Sequence, residues 1–319
     1  MSTVTINGED NLSVPNFTID SGDNGTTTIA DATGSDAGDT DGDAENLVVS
    51  GELTFASGEL DHQTSVEVGE SLTYAPASED AADFAVTASG GSVVLDGADV
   101  TLNRALTVPS LETSGGSSLV ANSDDNPFDL RIGSDLTLGA PFDASADNTG
   151  DLVITSAEDE NVQVERTSYS GTDVLTEPLV FEEPGTTYDL TYTGSSNINS
   201  GLEAVDGSGQ GQIDSLKVNA SATVTFSGAE LSGSVTANER LELLDGTVQH
   251  TASDERQVAI ADGATLLRDD GRFAARTAPS DQVNADGPYT LVYASDGEAD
   301  GVGDATDEAF LRDTEIDLV

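Results

Sequence analysis

The sequence predicts an all-β protein whose body is a parallel β-solenoid (β-helix), and three observations predict it. Short apolar bursts alternate with polar residues at period two, helix-period patterning is nearly absent, and successive bursts advance by only about eight residues. The alternative architecture is a set of antiparallel β-sandwich or jelly-roll domains.

The elements follow in chain order. Residues 1–45 hold one apolar strand region at 12–19, then the acidic run Asp36-Ala37-Gly38-Asp39-Thr40-Asp41-Gly42-Asp43, which reads as loop or linker. This segment is expected to be an N-terminal arm used for attachment. Residues 46–167 form the first half of the β body, with bursts such as Leu47-Val48-Val49, Leu53-Thr54-Phe55, Val93-Val94-Leu95, Leu106-Thr107-Val108 and Leu136-Thr137-Leu138. Residues 168–211 differ: Tyr169, Tyr188 and Tyr192 are half of the six tyrosines, Pro178 and Pro184 interrupt the pattern, and an inserted lobe is expected. Residues 212–295 form the second half of the body, and 296–319 an acidic C-terminal segment. Only 252–260 and 304–312 have the pattern for a turn or two of helix.

Spacing decides between the two architectures. In the second half, strand centres fall near 217, 225, 233, 242 and 248. Sandwich hairpins usually turn every 8 to 12 residues, with longer strands than these. Three short strands per coil, each stacked on the coil below, fit better. The run Asp214-Ser215-Leu216-Lys217-Val218-Asn219-Ala220-Ser221-Ala222-Thr223-Val224-Thr225-Phe226-Ser227-Gly228 resembles coils of haemagglutinin-like and autotransporter-like right-handed β-helices. Gly287-Pro288-Tyr289-Thr290-Leu291-Val292-Tyr293-Ala294 resembles the strand that closes such passengers. The resemblance spans 90–164 and 211–294 and implies a parallel β-helix; it supplies no catalytic residue.

Charge sets the environment. Sixty Asp and Glu face ten Lys and Arg, a formal net charge of -50. Such a surface repels itself in dilute buffer. At 1 M salt the Debye length is roughly 3 Å, and most of that repulsion is gone. Lys217 is the only lysine; the other cations are arginine. The pattern resembles haloarchaeal proteomes. Leu, Val, Ile and Phe together number 73 of 319 residues, just above the roughly 20% below which disorder is expected, and they are patterned.

There is no cysteine, hence no disulfide, thiol nucleophile or cysteine metal site. His62 and His250 are the two histidines, and no Gly-x-Ser-x-Gly elbow accompanies them. Gly207-Ser208-Gly209-Gln210-Gly211 lacks the lysine of a phosphate loop. The charge opposes nucleic acid, whose binding rests on cationic contacts with phosphate. No apolar run reaches the roughly 18 residues of a membrane helix. The one local site expected is a calcium loop at 296–307. Asp296, Glu298 and Asp300 stand at positions 1, 3 and 5, a glycine at 6 and Asp307 at 12. Glu298 and Asp307 depart from the usual choices at their positions. Four Asn-x-Ser/Thr sequons, at Asn11, Asn16, Asn24 and Asn219, are expected to be unmodified.

These features together lead us to expect a non-enzymatic virion structural protein of a haloarchaeal tailed virus: a capsid decoration, turret, fibre or tail component. The sequence from Met1 to Ile6 lacks the basic and apolar regions of a secretory signal, which favours this over the alternative of a cell-surface adhesin or S-layer-associated protein. A polysaccharide-active β-helix enzyme is the third reading. Expected partners are further copies of the chain (a trimer first, a pentamer second), other virion proteins, and a host surface glycan or S-layer.

Overall fold

The computed structural model describes residues 2–6, 11–22, 25–31, 46–75, 85–88, 91–121, 127–147, 149–155, 161–167, 169–171, 173–183, 185–204, 211–226, 235–250, 258–273, 284–285 and 288–293. The chain divides into two compact units, Met1–Thr155 and Ser156–Val319. Each is a parallel β-solenoid.

In the first unit the chain visits three sheets in rotation. The first sheet stacks Ser2–Ile6, Thr26–Asp31, Glu59–His62 and Ala85–Ala88. The second stacks Leu12–Val14, Leu47–Val49, Val66–Val68 and Val93–Asp96, then continues into the later halves of Leu106–Gly115 and Leu130–Leu138. The third stacks Phe17–Asp20, Glu52–Ser57, Ser71–Tyr74, Asp99–Leu102, Ser117–Val120 and Phe142–Asp143. All these pairings are parallel. The two long strands turn a corner without breaking. Val108 faces Ile132 but Ser110 faces Asp135, so the register slips at Pro109, which has no amide hydrogen to donate.

Alternation places every second side chain inward. Leu47, Val66, Val93, Leu111 and Leu136 are successive register partners and all are buried. A second column runs Leu53, Leu72, Val100 and Leu119, and a third runs Ile19, Phe55, Tyr74 and Leu102. Each rung lies about 4.8 Å above the last, so stacked branched side chains touch along the whole column.

The second unit repeats the scheme. Its main sheet stacks Val162–Arg166, Thr186–Gly194, Gly211–Phe226, Arg240–His250, Thr265–Arg268 and Thr290–Tyr293. Val235–Ala237, Val258–Ile260 and Asn284–Ala285 form a second sheet. Ile198–Ser200 and Arg272–Phe273 pair with the far halves of the long strands. Leu190, Leu216, Leu241, Leu266 and Leu291 make one column of register partners, every one buried. The corner after Leu243 depends on Gly246, whose φ of 78° suits glycine. A Cβ there would collide with the carbonyl oxygen of Ala220 on the coil below.

Three expectations change. Parallel pairing excludes the antiparallel sandwich. The strands of residues 2–31 are not a separate arm, because they begin the stack: Ile19 and Ile29 are fully buried in inward columns, while the acidic run expected as a linker, 36–43, lies outside the described residues. Nor is 168–211 an inserted lobe. Thr186–Gly194 pairs with Val162–Arg166 on one side and Gly211–Phe226 on the other, and Tyr188 and Tyr192 point inward. Of the expected helical stretches, 258–260 is strand, its Val258 and Ile260 buried beside Val235 and Ala237. Residues 304–312 lie outside the described residues.

Two substitutions test this core. Leu241→Ala removes a rung between Leu216 and Leu266 and should cost about 2–5 kcal/mol, read by denaturant unfolding in molar salt. Gly246→Ala should also destabilise, whereas Gln249→Ala at an exposed position of the same strand should stay within roughly 0.5 kcal/mol of the parent.

Candidate functional site

Two arrangements stand out once the stack is built: the outward columns of the first unit and a buried polar centre in the second.

The third sheet of the first unit presents two regular columns. One is Thr18, Thr54, Thr73, Thr101 and Val120. Beside it run Glu52, Ser71, Asp99, Ser118 and Asp143. β-branched threonine has few rotamers to lose, so the first column is a stiff ribbon of methyl and hydroxyl groups. In the second, acids and serines alternate, and Ser118 Oγ donates to Asp99 Oδ1 at 2.7 Å. The second sheet follows a similar rule outward, with Val48, Glu67, Val94, Glu112 and Thr137. Acids therefore recur at every other rung, about 9.6 Å apart. That spacing is close to the Debye length of about 10 Å at 0.1 M salt and well beyond the roughly 3 Å of 1 M salt.

A corner of the second unit breaks the alternation and compensates for it. Asp189 and Asp214 lie on successive coils, and the Asn161 amide donates to both, at 3.3 and 2.8 Å. Gln163 Nε2 and the Ser215 amide also donate to Asp189, at 2.9 and 3.1 Å. Shared donors offset the like charges.

The buried centre gathers Arg166, Tyr188, Tyr192 and Glu203, all fully buried. Arg166 Nη2 donates to the Gly171 carbonyl at 2.6 Å, and its Nε lies 3.9 Å from Glu203 Oε1. The guanidinium also sits 5.0 Å from the centre of the Tyr169 ring. Glu203 accepts from the Gly201 amide at 2.9 and 3.0 Å and from Tyr192 at 3.2 Å, while Tyr188 donates to the Glu203 carbonyl at 3.0 Å. Burial pulls the Arg166 pKa down from its ordinary value, and the Glu203 charge pulls it back up. The hydrogen bond to Asp173 raises the Tyr169 phenol above its ordinary value.

The expected calcium ligands Asp296, Glu298, Asp300 and Asp307 lie outside the described residues. Among the described residues, no group of three His, Asp or Glu is placed to hold a metal ion, and no helix is long and apolar enough to cross a membrane. His62 is fully buried in Glu59–His62, stacked on Ile29, with Nδ1 3.1 Å from the Thr64 carbonyl oxygen. His250 ends its strand opposite Phe226. The threonine column escaped sequence reasoning because its steps are unequal. A signal existed: Phe17-Thr18-Ile19, Leu53-Thr54-Phe55, Leu72-Thr73-Tyr74 and Val100-Thr101-Leu102 are all apolar–Thr–apolar triplets. No known protein family, curated protein or solved structure matches the chain.

The acid spacing predicts a salt-dependent mutational effect. Ser71→Asp places a third carboxylate between Glu52 and Asp99. It should cost about 1 kcal/mol at 0.1 M salt and almost nothing at several molar, measured as paired unfolding midpoints. Ser71→Asn, similar in size and neutral, should show no such salt dependence.

Proposed function

We propose that this chain is a structural, non-enzymatic component of a particle or surface assembly that lives in brine. A virion protein of a haloarchaeal tailed virus is the form of that reading we favour. The observation that carries it is the division of labour in the stack. Hydrogen-bonded parallel rungs and buried aliphatic columns hold the body together. The outward columns of the first unit carry mostly short hydroxyl and acidic side chains in regular rows, with Val48 and Val94 flanking Glu67 on one sheet. Regular outward rows of this kind suit display and lateral contact. The net charge of -50 suits solubility where salt is always high.

Such components usually work as closed symmetric oligomers. Copies of the chain, other virion proteins and a host glycan or S-layer are the partners this reading requires. Mass measurement in about 2 M salt, where the Debye length is only a few Å, should find a homo-oligomer, with a trimer first in expectation and a pentamer second. Proteomics of purified haloarchaeal virions should find the chain at stoichiometric abundance. Its recovery from cell envelopes and never from virions would favour the adhesin instead. Cleavage of haloarchaeal exopolysaccharide by the protein in molar salt would overturn the non-enzymatic reading.

A further inference from the structure

The inward columns of the second unit are largely aliphatic or aromatic, and buried arginine interrupts them on two coils: Arg268 lies between Leu243 and Tyr293, and Arg166, alone of the two, meets a buried carboxylate. Arg166 occupies an inward position whose register partner on the next coil is Tyr192, and it meets Glu203 inside. A repetitive interior has a weakness that a unique pair of this kind cures. In Thr186–Gly194 the inward set is Thr186, Tyr188, Leu190 and Tyr192, so the alternation runs on beyond the length of its partner Val162–Arg166. A slip of two residues would keep every inward side chain inward. The slip would carry Arg166 away from Tyr192 and Glu203.

The pair is poorly built as a source of stability. Nε and Oε1 are 3.9 Å apart, and Arg166 Nη1 has no protein acceptor among the described residues. Two charges taken out of water at that separation recover little of their desolvation cost. It is well built as a marker of position. Arg166 grips the connection at Gly171, Tyr169 stacks on the guanidinium, and Asn199 holds the Ser170 carbonyl through both its backbone and side-chain nitrogens, at 3.2 and 2.8 Å. We propose that Arg166 and Glu203 form a register lock. They select one alignment of Val162–Arg166 against Thr186–Gly194 and clamp the connection at 169–171 over it. Being buried, the lock is little screened, so it acts at low salt as well as high.

The chain has no cysteine, so a reporter pair can be placed on a clean background. Glu165→Cys with Thr191→Cys puts thiols on register partners. The full chain in molar KCl should oxidise this pair efficiently. In the added background R166M/E203L, cooperative melting should persist. The crosslink yield should fall severalfold, and amide exchange at 169–171 and 199–201 should accelerate at least about tenfold. A cooperative double variant that crosslinks fully and keeps its protection would overturn the lock. Should that variant fail to fold, Arg166→Lys decides. Lysine keeps the charge but lacks the fork that spans Gly171 and Glu203. Accelerated exchange at 169–171 in a folded R166K chain supports the lock, and parental exchange there overturns it.

Discussion

Continuous inward columns are the constraint on which everything else in this protein depends. A parallel, in-register stack puts each inward residue directly on its counterpart one coil below. A polar or missing side chain in one rung therefore strips contacts from two neighbours. The strands can be only three or four residues long because each column is shared by every coil it crosses. The same constraint sends length variation to the connections. In the first unit the inward partners Leu47, Val66, Val93, Leu111 and Leu136 are separated by unequal lengths of chain, yet each lands on the one before. In the second unit Leu216, Leu241, Leu266 and Leu291 recur at a constant 25 residues.

The acidic exterior is tolerable because the stack does not rely on it. Backbone ladders and aliphatic columns carry no net charge, so dilution acts on the surface alone. That surface has a pattern finer than its net charge suggests. In the outward columns Glu52, Asp99 and Asp143 are spaced by serines, and Glu67 and Glu112 by a valine. Adjacent rungs would bring carboxylates within about 5 Å, where screening at moderate salt is weak. The corner that does bring Asp189 near Asp214 spends Asn161, Gln163 and a backbone amide on the contact.

Much of the fold was legible and much of the organisation was not, for the same reason. Triplets such as Leu53-Thr54-Phe55 and Val224-Thr225-Phe226 announce strands by alternation alone, and their close spacing announces coils. Register is a relation between distant segments. With steps as unequal as Leu47 to Val66 and Val66 to Val93, no period exposes it. The supposed lobe shows how composition misleads. Prolines and tyrosines made 168–211 look foreign to the body, although Thr186-Thr187-Tyr188-Asp189-Leu190-Thr191-Tyr192-Thr193 alternates as regularly as any strand here. Its tyrosines are core residues whose hydroxyls find partners on Glu203. The buried Arg166–Glu203 pair had no local signature at all, since its members are brought together only by the coil.

The polar centre and the aliphatic columns are two answers to one requirement, that buried backbone groups be hydrogen-bonded. Where a coil is all strand, the ladder above and below supplies the partners. Between Arg166 and Thr186 the chain runs largely without strand, burying Val174, Leu175 and Leu179 from irregular backbone. Ladder partners are few there among the described residues, and side chains take their place. Arg166 serves the Gly171 carbonyl, Asn199 the Ser170 carbonyl, Tyr188 the Glu203 carbonyl, and the Glu203 carboxylate the Gly201 amide. Arg268, donating to the Gly271 carbonyl at 3.1 Å, does the same on a smaller scale at a later corner. Buried charge in this solenoid therefore marks the places where the coil departs from strand, and it is there that the choice of a single register is made.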